Sequence, residues 1–115
     1  MERFLQVLYD RFAIMPDEDN VVRMDTNTLV FLGEAGDKIT LLCPCFPVPT
    51  DQMDLLELLS LNCRSEINYC AAEGIILAKL TLCPEESFED MVHKFNFYLY
   101  EIAAAREAFG HVRPE

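Results

Sequence analysis

The sequence predicts an α+β fold, a twisted antiparallel sheet with helices packed on it in the order α-β-β-β-α-β-β-α. Three observations predict it: helical apolar spacing at both ends, two groups of short apolar runs joined by glycine-bearing turns, and a leucine-rich segment between those groups. Adjacent strands joined by short turns pair antiparallel, and their apolar face needs helices to cover it. A chain of 115 residues fits one domain spanning 1–115, with no internal repeat and no dividing linker.

Phe4, Leu5, Leu8 and Phe12 lie on one face of a helix over residues 2–13. That helix is expected to stop by Met15-Pro16, because a residue before proline is driven out of helical backbone. An acidic loop, Asp17-Glu18-Asp19, leads to strands at 21–25, 28–32 and 38–43. Gly33 and Gly36 bracket the connection between the last two, where positive φ is useful. Pro44, Pro47 and Pro49 argue against further central strand and predict an extended surface segment.

Thr50 is the expected cap of a helix over 51–62, with Asp51 and Asp54 favourable near its N-terminus. A second hairpin follows, 66–72 and 75–82, turning at Glu73-Gly74. Ser87, with Asp90 three residues on, opens the final helix. Phe88, Met91, Val92, Phe95, Leu99, Ile102 and Phe109 mark its inner stripe, leaving Phe97, Tyr98 and Tyr100 outside it.

Twenty acidic residues against nine basic give a net charge of −11, which repels phosphate and makes nucleic acid and anionic membranes poor partners. No apolar run reaches membrane-spanning length, and the N-terminus opens directly into the amphipathic pattern, so no signal peptide is expected. Five cysteines, odd in number and mostly inside apolar runs, predict reduced, buried thiols in a cytosolic protein. Cys43 and Cys45 are one residue apart, short of zinc-ligand spacing, and the two histidines, His93 and His111, stand alone. Neither metal nor cofactor is expected. No phosphate loop or nucleophile motif appears, so the chain is predicted not to be an enzyme. A small thiol enzyme stays the minor alternative, and a dimeric adaptor for a folded partner the other.

Hydrophobic residues make up 51% of the chain, a surplus for so small a core. The 51–62 helix is apolar nearly all round, and such a helix in a small domain belongs at a subunit contact. Leu55, Leu58 and Leu59 are the candidates.

In this order and spacing, the stretch Leu42-Cys43-Pro44-Cys45-Phe46-Pro47-Val48-Pro49 before a leucine-rich helix resembles the class I type III secretion chaperones, related in fold to the chaperone of the Tir effector. Leu8-Tyr9-Asp10 and Leu59-Ser60-Leu61-Asn62 add a likeness to chaperones of inositol-phosphatase effectors. The resemblance implies a cofactor-free homodimer in the bacterial cytosol that holds an extended N-terminal segment of a secreted effector and keeps it export-competent. It implies a dimer contact through the second helix and the strand at 66–72, which adds Ile67 and Tyr69. It also implies an apolar client groove near the first helix and the sheet. Leu5, Leu8 and Phe12, with Val30, Leu32, Ile39 and Leu41 on the neighbouring strands, are the expected lining of that groove. It would lie between the first helix and the sheet face left free by the last helix.

Overall fold

The computed structural model describes residues 1–113. Its elements run α1 (Glu2–Phe12), β1 (Val21–Asp25), β2 (Thr28–Ala35), β3 (Lys38–Pro47), α2 (Gln52–Leu61), β4 (Asn68–Ala72), β5 (Ile75–Leu82) and α3 (Phe88–Ala108). The strands form one antiparallel sheet in the order β1-β2-β3-β5-β4. Both the element order and the sheet type match the sequence expectation.

Local chemistry sets the boundaries. α1 stops at Ala13, whose left-handed φ of 55° reverses the chain two residues before Met15-Pro16 acts. Gly36 takes φ 66° in the two-residue turn between β2 and β3, so β2 runs on to Ala35. Asp51, not Thr50, caps α2, its carboxylate accepting from the Asp54 N–H. Ser87 Oγ accepts from the Asp90 N–H and caps α3 as the sequence indicated.

The prolines do not end β3. The strand continues to Pro47 between β2 and β5, with an irregularity between Pro44 and Phe46. β2 pairs with β3 only as far as Phe31 opposite Leu42, so beyond Leu42 the ladder of β3 runs on one side, along β5. A strand needing half its ladder tolerates proline, particularly at a bulge.

All three helices lie on the same sheet face. That face presents Val22, Val30, Leu32, Leu41, Cys43, Ala78, Leu80 and Leu82, all buried. Phe95 of α3 is the centre of the layer, with the rings of Phe4 and Phe12 standing edge-on to it at 5.5 and 4.9 Å. Tyr98, expected outside the inner stripe of α3, is fully buried and donates its hydroxyl to the Ala78 carbonyl at 2.6 Å. That hydrogen bond is what admits a phenol to the core.

Arg106 pins the far end of α3. Its guanidinium donates to the carbonyls of Asn27, Pro44 and Cys45 and to Thr28 Oγ1, over 2.6–3.3 Å. One side chain therefore ties α3 to the β1–β2 turn and to the bulge of β3.

Two measurements check this packing. Phe95→Ala should lower unfolding stability by about 3–5 kcal/mol in denaturant melts, the usual loss for a buried aromatic. Burial pushes the Tyr69 hydroxyl up from 10.0 to about 12. A folded-state value above the unfolded one means stability that is intact below pH 10 and lost as pH rises towards 12. Tyr69→Phe should flatten the decline of the unfolding midpoint across that window, and an unchanged pH profile would show that Tyr69 does not contribute to it.

Candidate interaction surfaces

The open surfaces follow from which face each element has already used. In α2 only Leu58 is buried, seated on the protomer core. The Asn62 amide, just past the helix, donates to the Tyr69 carbonyl at 3.2 Å and accepts from the Tyr69 N–H at 2.6 Å. This rung holds α2 beside β4 and fixes which side of the helix turns outward. Met53, Leu56 and Leu59 point away, 71%, 54% and 62% exposed. They recur every three residues and form one stripe.

The expected self-association residues separate accordingly. Ile67, Tyr69 and Leu58 are buried within the protomer, Leu55 is half-buried, and Leu59 alone is exposed. The leucine run concealed this, because residues needed by the protomer and residues left over have the same composition. Beside α2, β4 is a sheet edge of sequence Asn-Tyr-Cys-Ala-Ala, without charge or proline. Such an edge lacks the usual protection against pairing with another strand. The opposite edge, β1, carries Arg23 and Asp25 and an irregularity between them.

The expected groove lining needs a larger correction. Leu8, Val30, Leu32, Ile39 and Leu41 are buried in the core, and Leu5 and Phe12 are half-buried. α1 packs on α3, on the same side of the sheet, so no trough forms between α1 and the free face. Period-two alternation left the phase open, and α1 and α3 cover the set containing Leu32. The opposite set, Leu29, Phe31, Leu42 and Leu77, lies on the face that no described helix covers. Phe31 is 41% exposed there, paired in register with Val21 on one side and Leu42 on the other.

A second apolar site lies on the outer side of α1. The chain reversal at Ala13 brings Met15 and Pro16 back beside Leu5 and Tyr9, shaping a groove of about 460 Å³. Tyr9 and Met15 are both well exposed. Sequence reading missed Phe31, Met53, Leu56 and Met15. The first three sit in apolar runs beside core residues, and Met15 follows a turn whose left-handed alanine has no sequence signature.

The acidic loop is partly structural. Asp17 accepts backbone N–H groups from Asp19 and Val21 at 2.8 and 3.0 Å, leaving Glu18 and Asp19 to face solvent. Among the described residues no group of three or more His, Cys, Asp or Glu side chains is placed to share a metal ion, and no helix is long and apolar enough to cross a membrane. A concavity of about 530 Å³ beside Arg106 is lined by a guanidinium whose donors are already engaged by protein acceptors.

Comparison with known proteins identifies the family and supports the fold. A family model described as the type III secretion chaperone domain matches residues 3–110. Chaperone protein IpgE of Shigella flexneri and its Shigella sonnei counterpart are each 29% identical over 95 residues, covering 81% of this chain and 79% of theirs. Among solved structures, a chain of the HopA1-SchA chaperone-effector complex superposes with a TM-score of 0.63 at 17% identity, over 90% of this chain and 94% of that one. A chain of the ExsC-ExsE complex gives 0.65 at 16% identity, over 97% and 92%. At these identities the superpositions speak for the fold.

Proposed function

The chain belongs to the type III secretion chaperone family, a non-enzymatic, effector-binding class, and from that premise we propose how it holds its client. It acts as a homodimer in the bacterial cytosol. It binds an extended, non-globular segment near the N-terminus of a secreted effector and keeps that effector soluble and export-competent, without nucleotide or cofactor. An inositol-phosphatase effector is the first client to try, on the likeness of Leu8-Tyr9-Asp10 and Leu59-Ser60-Leu61-Asn62.

The observation that carries this reading is that exposed apolar side chains gather in separate regions of the surface. One region is the Met53, Leu56 and Leu59 stripe of α2 next to the uncharged β4 edge, and it suits a second copy of the chain. A two-fold contact needs a self-complementary patch, and an apolar stripe beside a free strand edge supplies one. Leu55, Leu58, Ile67 and Tyr69 support that patch from beneath.

Two further patches suit the client. Phe31 with Leu29 and Leu42 on the open sheet face, and Leu5 with Tyr9 and Met15 beside α1, offer apolar anchor points separated by polar surface. An extended chain fits such a distribution, because alternate side chains can enter pockets while the backbone stays hydrated or pairs with a strand. Ordering a disordered client costs entropy, so several anchors are required. Glu2 and Glu18, with the net charge of −11, favour a client with basic residues between its anchors. Leu8, Val30, Leu32, Ile39 and Leu41 act from below, by holding these surfaces in place.

Two experiments separate the regions. Leu56→Asp with Leu59→Asp changes side chains that the protomer leaves exposed, so circular dichroism should stay native while sedimentation shifts from dimer to monomer. A native dimer in that variant would place the interface elsewhere. Leu5→Glu with Phe31→Glu should leave a folded dimer that retains a disordered effector segment more weakly by about 2 kcal/mol or more, the scale of lost interface anchors. Full retention in a pull-down would show that the client lies on other residues.

A further inference from the structure

A strand at the edge of a sheet turns the backbone groups of alternate residues outward, and what meets those groups decides whether another strand can join. β4 and β5 are connected by the two-residue turn Glu73-Gly74, both residues at positive φ, 52° and 81°. In such a hairpin the pair flanking the turn, Ala72 with Ile75, exchanges hydrogen bonds, and the exchange recurs at every second pair. Cys70 and Ala72 therefore bond inward to β5, while Tyr69 and Ala71 turn their N–H and C=O groups outward. The Asn62 side chain obeys this phase. It accepts from the Tyr69 N–H at 2.6 Å and donates to the Tyr69 carbonyl at 3.2 Å, as a neighbouring strand would. Asn62 thus closes the edge at Tyr69. No other described group takes the N–H or the carbonyl of Ala71, which is exposed.

The edge at β1 is better sealed. There the Asp17 carboxylate accepts from the Val21 N–H and the Asp17 N–H donates to the Val21 carbonyl, each at 3.0 Å. Arg23 and the irregularity after it guard the rest of that strand. β4 keeps one open rung, next to small neutral side chains and beside the α2 stripe.

We propose that the two-fold axis of the homodimer passes through β4 at Ala71, where the N–H of each copy donates to the Ala71 carbonyl of the other. This rests on the assignment of the Met53, Leu56 and Leu59 stripe to a second copy, and it specifies how the two copies meet. An antiparallel pair that exchanges both bonds between identical residues is two-fold symmetric. Asn62 excludes the neighbouring registers. An axis at Tyr69 needs the groups that Asn62 holds, and an axis at Cys70 needs Tyr69 to bond Ala71 of the other copy. An axis at Ala72 needs Glu73, whose backbone has already left the strand at φ 52°. An axis at Ala71 runs perpendicular to the sheet, so the helices of both copies stay on one side. α2, which packs beside β4, then meets its counterpart above the paired edges. Asn62 is the residue that determines the register, although it touches only its own protomer.

The register can be read chemically. Cys70, expected from its apolar surroundings to be buried, is exposed. In this register it faces Ala72 of the other copy at a non-hydrogen-bonded pair, with Cα atoms about 4.5 Å apart. That lies within the span of about 4.4–6.8 Å that a disulfide bridges. The two Cys70 residues stand diagonally across the axis, about 7–8 Å apart and outside that span.

The test is Ala72→Cys in the full chain, mildly oxidised with glutathione disulfide and separated without reductant. The expected product is a covalent dimer, formed at least about tenfold faster than from the native chain because only the variant meets the disulfide geometry. Mass spectrometry should find Cys70 of one chain joined to the introduced cysteine of the other. In the native dimer, hydrogen exchange at the Ala71 amide should be at least about tenfold slower than in the Leu56→Asp, Leu59→Asp monomer, while Tyr69, held by Asn62 within the protomer, exchanges alike in both. This second measurement does not depend on how the cysteine variant folds. A native dimer whose Ala71 amide exchanges at the monomer rate would overturn the axis and leave the stripe assignment standing. So would a dimeric Ala72→Cys chain without the cross-link, or native chains that join through Cys70 to Cys70 at the variant's rate. A Leu56→Asp, Leu59→Asp variant that stays dimeric is the separate result that would remove the stripe assignment and this proposal with it.

Discussion

Placing three helices on one face of a five-stranded sheet is the constraint from which the other features of this protein follow. Phe95 makes that placement possible. Its ring takes Phe4 and Phe12 edge-on, drawing α1 against α3 and therefore onto the same side of the sheet. Had α1 crossed to the other face, Leu29, Phe31 and Leu42 would be core and the molecule would have little apolar surface to offer. The free face is thus produced by the way the core is assembled. The α2 stripe arises similarly: Leu58 docks inward, the Asn62–Tyr69 rung sets the rotation, and the remaining apolar side chains have nowhere to go but outward.

A second dependence runs through β3. It is the longest strand, shared by β2 along its first half and by β5 over nearly all its length, and it carries two prolines where one partner is missing. Removing ladder partners from carbonyl groups has a cost when they are left near the core. Arg106 answers it at the carbonyls of Pro44 and Cys45, while also satisfying the buried Thr28 Oγ1. A charged donor makes stronger hydrogen bonds than a neutral one, and a planar fork can reach several acceptors together. An arginine at the end of an amphipathic helix reads from sequence as solvated charge, and its role becomes visible only once β3 and the β1–β2 turn converge on it.

Much of the fold was legible because it rests on local rules. Helical spacing around Phe4 and Phe95, the Glu73-Gly74 turn and the Ser87 cap each specify their own element. What failed were inferences that needed a third dimension. Val30 and Phe31 are neighbours in one strand, and which of them faces the helices depends on where α1 docks. Leu58 and Leu59 differ in fate for the same reason. Proline at 44 looked like a strand terminator because the missing partner at that position is a property of the β2–β3 register. The residues expected at those surfaces depended on the same missing dimension: Leu59 is exposed, Leu5, Phe12 and Leu55 are half-buried, and Leu8, Val30, Leu32, Ile39, Leu41, Leu58, Ile67 and Tyr69 are buried.

The composition of α2 has a further consequence for solution behaviour. Its apolar stripe is flanked by Asp51, Asp54 and Glu57, and the helix has no basic residue in its last turn. Two copies approaching through this face bring like charges together before their leucines touch. At low ionic strength that repulsion reaches tens of ångströms, and at physiological strength it is confined to about 8 Å. Encounter between copies is thus faster in salt, while attraction of a basic partner to the same acidic molecule is slower. Screening therefore acts with opposite sign on the approach of two acidic copies and on the attraction of a basic chain.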